Sequence, residues 1–191
     1  MISVQNLSIY FSDEPLFKEV SFVVADKDRI GLVGKNGAGK TTLLKVLSGQ
    51  LYAENGNIVI TKGHRIGYLP QEMNVVSNKN VWEETLTAFA EVKQIEEQIN
   101  KINRRLAQCE EYESKEYMNL LTTLSDLNHQ LEYIGANQME STTEKVLGGL
   151  GFSKSDFYRP MCEFSSGWQM RVALAKLLLQ HPEILLLDEP T

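Results

Sequence analysis

Cysteine is scarce in this 191-residue chain: Cys109 and Cys162 are the only two, and they sit at no metal or redox spacing. A disulfide framework and a thiolate metal site are therefore excluded, and a reducing compartment is expected. No apolar run is long enough to cross a bilayer. The opening residues Met1 to Asn6 lack the basic and apolar regions of a secretory leader, so the expected location is cytoplasmic. Positive charge is also short, with 19 Lys and Arg against 25 Asp and Glu and a net charge of −6. That excludes a broad electrostatic grip on nucleic acid but leaves room for a local basic patch. Glycine and proline are missing from residues 81 to 134, which excludes tight turns of the usual kind there and points to helix. The three histidines, His64, His129 and His181, fall in no catalytic pattern.

What is present is one glycine-rich stretch, Gly34-Lys35-Asn36-Gly37-Ala38-Gly39-Lys40-Thr41-Thr42. It reads G-x-x-x-x-G-K-T, the phosphate-binding loop pattern. The preceding Arg29 to Val33 reads as a buried strand, and Thr42 to Gly49 as a helix that closes at Gly49. Gly34, Gly37 and Gly39 let the backbone curl so that its N–H groups point at phosphate oxygens. The helix start presents its partial positive charge to the same anion. Lys40 adds a full charge for the β- and γ-phosphates, and the Thr41 hydroxyl is placed to ligate Mg²⁺. The bland alternative, a glycine-rich turn, explains neither the flanks nor the Lys-Thr pair.

The remaining chain supplies a frame. Ile2, Val4, Leu7, Ile9 and Phe11 alternate as in a strand with one buried face. A turn at Ser12 to Pro15 leads to a second strand, Leu16 to Val24, and Ala25 to Asp28 turn the chain toward the phosphate loop. Phe11 or Tyr10 is a candidate to stack on an adenine; either is equally an ordinary edge-strand aromatic. Short strands are expected at 56–61 and 65–69. Gln71, at the tip of the second, is a candidate for the metal or the attacking water, although an isolated loop glutamine needs no such role.

Within 81–134, Val92, Ile95, Ile99, Ile102 and Leu106 repeat at three-four spacing. A second stripe follows: Tyr117, Leu120, Leu124, Leu127, Leu131 and Ile134. The polar stretch Cys109 to Lys115 separates them, giving an antiparallel helical hairpin that Gly135 stops. Lys101, Arg104 and Arg105 are its only basic cluster, read first as a solvated helix face. Ser141-Thr142-Thr143-Glu144 reads as a capping box for a further helix through Leu150. Ser165 and Ser166 then start a helix running to Gln180. The chain closes on Ile184 to Glu189, an apolar strand ending in two carboxylates at the edge where open α/β sheets bind ligands. Asp188 is a candidate Mg²⁺ ligand, and Glu189 a candidate to polarise the attacking water.

These pieces, in this order, resemble the ATP-binding cassette (ABC) ATPases over essentially the whole chain. Gly34–Thr41 matches Walker A, Gln71 the Q-loop, Phe164–Trp168 the signature motif and Ile184–Glu189 Walker B. Phe11 is similar to the adenine-stacking position. The gap of 94 residues from Gln71 to Ser165 is longer than in most transporter cassettes. The run Phe164 to Arg171 resembles the signature of the ABC-F proteins, which carry two nucleotide domains in one chain and of which many act on ribosomes. Ser166 stands where the family has its first signature glycine.

The resemblance implies an α/β P-loop NTPase of the ABC type with a helical subdomain carrying a hairpin insertion. Its expected parts are an ATP-binding core at 1–80, a helical subdomain at 81–163 with an arm at about 91–134, and a signature helix and Walker B strand at 164–191. It implies ATP and Mg²⁺ as cofactors. Lys35, Asn36, Ala38 and Thr42 join the nucleotide contacts, with Thr41, Gln71 and Asp188 at the metal and Glu189 and Gln71 at the chemistry. Ser165, Ser166 and Gly167 would face the nucleotide of a second cassette, the expected partner. The arm would touch ribosomal RNA, ribosomal protein or tRNA. The alternative partner is a transporter's membrane subunit, with the chain as its motor.

In related P-loop folds the strand after Walker B lies between the Walker A and Walker B strands. The chain stops at Thr191, before that strand, the D-loop and the switch histidine. It therefore reads as an N-terminal piece of a longer protein that binds ATP without turning it over.

Overall fold

The structure is a computed structural model that describes residues 1–10, 14–72, 77–109, 111, 114–134 and 138–190. It divides into two compact units, Met1–Asn74 with His181–Thr191, and Val75–Gln180.

In the first unit, β1 (Ile2–Tyr10) lies between β2 (Pro15–Val24) and β3 (Asn55–Ile60) in an antiparallel sheet. The apolar positions of β1 change phase between Val4 and Leu7, and the ladder to β2 slips at that point. Asn6 absorbs the extra residue with a left-handed φ of 49°. The bulge keeps Ile2, Val4, Leu7 and Ile9 all on the buried face, since without it a one-residue slip would turn half of them to solvent. Helix α1 (Lys40–Leu47) adds Val46 and Leu47 to this core. The parallel pair β4 (Ile66–Leu69) and β5 (Ile184–Leu187) adds Leu186, with Ile66, Tyr68 and Ile184 packed alongside. One hydrophobic core thus ties the phosphate-loop helix to the strand that carries Asp188. The pair is extended by side chains, because the Glu183 carboxylate accepts the Arg65 N–H at 2.7 Å. That hydrogen bond holds the Glu183 carboxyl below its usual range.

The strand expected at 29–33 does not form. Residues 29–35 pair with no ladder among the described residues, and Ile30, Leu32 and Val33 are 63%, 44% and 93% exposed. Their sequence suits a strand, but an extended run becomes one only when a neighbour supplies hydrogen bonds and a packed face. β5 is bonded on one edge, to β4, and nothing described pairs with residues 29–33.

The second unit is helical: α2 (Val81–Leu86), a 3₁₀ turn (Thr87–Phe89), α3 (Ala90–Gln108), α4 (Lys115–Ile134), α5 (Met139–Gly149) and α6 (Ser166–Leu179). α2 opens with a full capping box, in which the Asn80 side chain accepts the Glu83 N–H and the Glu83 carboxylate accepts the Asn80 N–H. The box expected at Ser141–Glu144 is not one. α5 already starts at Met139, and the Ser141 hydroxyl turns back to the Gln138 carbonyl instead. The core holds Val81, Leu147, Phe152, Phe157, Met161, Val172 and Ala175, with Trp82 stacked on Phe157 at 5.4 Å.

α3 and α4 pack on each other through the two stripes. Val92, Ile95 and Leu127 are buried, while Ile99, Ile102, Leu106, Tyr117, Leu120 and Leu124 are half-buried. Arg105 pairs with Glu116 at 2.8 Å across the hairpin.

Beneath α2, Glu84 holds Lys176 of α6 at 2.6 Å and also accepts the Ser77 hydroxyl at 2.8 Å. Burial pushes the Glu84 carboxyl up, but the bonds from Lys176 and Ser77 outweigh it, and the net direction is down. A carboxyl lowered in the fold stabilises above its unfolded pKa, and that contribution is lost as pH falls through the folded value. Stability of this unit is therefore expected to drop below about pH 4.3. Glu84→Gln leaves Lys176 without its carboxylate. A pair that is broken while buried costs about 3–5 kcal/mol, and the 30% solvent exposure of the Lys176 side chain reduces this to about 1–3 kcal/mol. Denaturant unfolding at pH 7 and pH 4 checks both points: the gap between wild type and variant should narrow at the lower pH. A gap that widened would reverse the assignment.

Candidate functional site

The phosphate loop runs from Gly34 to the first turn of α1. Gly37 and Gly39 have φ of 81° and 90°, the left-handed backbone that side chains resist. At Gly39 a Cβ would also lie 2.6 Å from Phe17, so this glycine is required twice over. Gly34 has no positive φ, and its freedom is not used. Gly39 caps α1 without a side-chain bond, and the first helical bond runs from the Leu43 N–H to the Gly39 carbonyl. The N–H groups of Lys40, Thr41 and Thr42 precede that bond, the position from which a helix start can receive an anion. The Lys40 ammonium donates to the carbonyls of Gly34 at 3.0 Å and Lys35 at 3.2 Å, which folds its charge over the loop. Residues 34–38, including Lys35, Asn36 and Ala38, are exposed.

The carboxylates follow β5. Asp188 is 3% exposed. Its N–H donates to the Leu69 carbonyl at 3.0 Å, and the Tyr68 hydroxyl donates to its Oδ2 at 3.3 Å. Burial first, and the Asp188 charge second, push the Tyr68 phenol up. No Lys, Arg or His among the described residues forms an ion pair with Asp188. A buried carboxylate without a counter-charge is costly, and that fits a site made for a cation. Thr41, Gln71 and Asp188 present only hard oxygen donors, as Mg²⁺ prefers.

Glu189 has a φ of 49°, a conformation that costs a non-glycine residue about 1–2 kcal/mol and that tends to persist where function requires it. Its carboxylate accepts the Gln71 amide N–H at 2.7 Å. The structure thus brings the two candidates for the attacking water together, at the carboxyl ends of β4 and β5. Tyr10, the rival of Phe11, donates its N–H to Glu54 at 3.2 Å. Phe11 itself lies outside the described residues.

The signature lies in the helical unit. Ser165 is the N-cap of α6, with φ −62° and ψ 161° and no side-chain cap bond. Ser166 is the first residue of the helix and is not left-handed, so the serine in the family's glycine position carries no backbone strain. A side chain at Gly167 would meet nothing. The turn is held from behind. Gln169 donates to the carbonyls of Met161 at 3.2 Å and Phe164 at 3.0 Å, while Phe152 meets Trp168 edge-on at 4.8 Å. Arg159 and Arg171 each lie 4.5 Å over a ring, Phe164 and Trp168 respectively. Sequence reading missed Gln169 and Tyr68, because what each side chain touches depends on contacts that spacing does not encode.

The family model for the ABC transporter matches residues 17–191. The chain belongs to that family. "ABC transporter F family member 5" of Arabidopsis thaliana is 34% identical over 195 residues, covering 100% of this chain and 28% of the relative. "Tylosin resistance ATP-binding protein TlrC" of Streptomyces fradiae is 29% identical over 190 residues, covering 100% of this chain and 34% of the relative. The chain thus spans about a third or less of the relatives' length. Among solved structures, the dimeric post-hydrolysis state of the ATP-binding cassette MJ0796 bound to ADP and Pi has a TM-score of 0.63 at 17% identity. It covers 100% of this chain and 75% of that one. The fold is therefore that of ABC ATP-binding domains, and the chain is such a domain. The likeness to F-type members expected from Phe164–Arg171 is found. Among the described residues no helix is long and apolar enough to cross a membrane.

Proposed function

We propose that this chain is the Mg-ATP-binding cassette of a cytoplasmic ABC-F type protein that acts on ribosomes. The observation that carries the reading is the loop from Gly34 to Thr42. Two left-handed glycines there lead into a helix start whose first N–H groups precede the first helical bond, and the Lys40 ammonium folds over the same loop, an arrangement that supports the binding of an anion. Phosphate oxygens would take the place of the Gly34 and Lys35 carbonyls at Lys40. Thr41, Asp188 and Gln71 would hold Mg²⁺, which draws charge off the β- and γ-phosphates. Glu189 would take the proton of the attacking water as its oxygen bonds to the γ-phosphorus and the bond from that phosphorus to the β–γ bridging oxygen breaks, so that ADP leaves with the electron pair, and Gln71 would fix the carboxylate. Phe11 is the proposed adenine platform. Ser165, Ser166 and Gly167 serve the nucleotide of a second cassette, and the α3–α4 hairpin serves as the ribosomal arm. The tylosin-resistance relative supports a link to resistance.

The same reading holds that the 191-residue chain alone binds ATP without steady turnover. Its support is the exposed run Ile30 to Val33, unpaired among the described residues, and the one-sided pairing of β5 among them, an edge open to a further strand or a second copy. A phosphate-release assay tests this: no turnover above background is expected, and steady release abolished by Glu189→Gln would contradict it. For the longer protein, co-sedimentation with ribosomes in a non-hydrolysable ATP analogue is expected. Recovery with a membrane protein complex instead would favour the transporter motor.

A further inference from the structure

We propose that Tyr68 is a positioning residue for the metal-binding carboxylate of Asp188, a role that rests on the Mg-ATP reading above. In the parallel register Tyr68 lies beside Leu186, so the two side chains share a face of the pair. Asp188 is two residues beyond Leu186 and returns to that face, because strand side chains alternate with period two. The phenol ring packs against the core that includes Leu186, and its hydroxyl extends past the end of β5 to Asp188 Oδ2. The backbone is pinned by the same strand, through the Asp188 N–H on the Leu69 carbonyl. β4 therefore fixes Asp188 at two points, peptide and carboxylate, and leaves Oδ1 for the cation.

Among the described residues this hydroxyl is the side-chain group that donates to Asp188. A carboxylate that binds metal needs such a partner to hold its orientation, and loss of one typically weakens metal binding 10- to 100-fold. The ring and the hydroxyl have separable roles. Phenylalanine would fill the core equally well, so a purely structural Tyr68 would not need its oxygen.

Tyr68→Phe in the full-length protein isolates that oxygen. Binding of a fluorescent ATP analogue is followed while Mg²⁺ is titrated in, and again in EDTA. The Mg²⁺ midpoint is expected to rise about 10-fold or more, with the EDTA affinity unchanged to within about twofold. Ile2→Val, in the same core but away from β4 and β5, serves as a packing control: it should lower the thermal midpoint and leave the Mg²⁺ midpoint in place. The proposal is overturned if Tyr68→Phe and wild type share one Mg²⁺ midpoint, or if Ile2→Val shifts it as far. Should wild type itself bind the analogue with no response to Mg²⁺, the Mg-ATP reading fails first, and this role with it.

Discussion

Lys40→Ala is expected to weaken ATP binding by roughly a hundredfold while leaving the fold intact. In the free protein Lys40 spends its charge on two backbone carbonyls, those of Gly34 and Lys35, in an exposed loop. Losing those bonds exposes the carbonyls to water, which satisfies them, so the stability cost is small. With nucleotide bound the balance changes. The ammonium faces phosphate oxygens that the curled loop removes from water, and a hydrogen bond between charged groups is worth about 1.5–3 kcal/mol. Two such contacts give about 3 kcal/mol or more, which is a factor of about a hundred in Kd. Calorimetry with Mg-ATP reads this directly. Equal affinities for the two forms would remove the phosphate loop from the site.

The double substitution Ile99→Asp with Leu124→Asp is expected to melt the hairpin without loss of nucleotide binding. Both residues are half-buried on the facing stripes of α3 and α4. The helices span 19 and 20 residues, and in water most helical stability comes from packing an apolar face rather than from propensity. Two carboxylates facing that seam must be hydrated or neutralised, at a cost of several kcal/mol, about 1–3 for each polar group left poorly paired. Val92 and Ile95 remain apolar and buried at the start of α3, so melting should stop short of the rest of the helical unit. Circular dichroism should lose the signal of tens of helical residues, and ATP affinity should stay within about threefold. If ATP binding disappeared with the helices, the hairpin would be part of the core and not an arm.

Local pattern was the legible part of this fold. The bulge at Asn6 comes from the ladder to β2, whereas the buried face of the first strand follows from alternation, which is set by neighbours in the chain. The two hairpin stripes were legible for the same reason. Pairing was not. Ile30, Leu32 and Val33 carry the composition of a buried strand, and only the identity of a neighbouring strand decides whether they form one. Caps lie between these cases: Ser141–Glu144 and Asn80–Glu83 both fit the pattern, but Asn80 stands at a helix start, whereas Ser141 falls inside a helix that already begins at Met139.

The candidate site divides along the same line. The glycines at 37 and 39 adopt the conformation their positions imply, since φ is a property of one residue. Tyr68 reaches Asp188 only through the parallel register of β4 on β5, 120 residues apart in sequence. Gln71 and Glu189 meet for the same reason, at a separation of 118 residues.

A crystal structure of the protein with Mg²⁺ and a non-hydrolysable ATP analogue tests the Mg-ATP site most directly. The β- and γ-phosphates are expected against the N–H groups of Gly37 to Thr42 and the Lys40 ammonium. The metal is expected about 2.1 Å from the Thr41 hydroxyl and within coordination distance of Asp188. A nucleotide bound away from this loop, or a metal that touches neither Thr41 nor Asp188, would rule that site out.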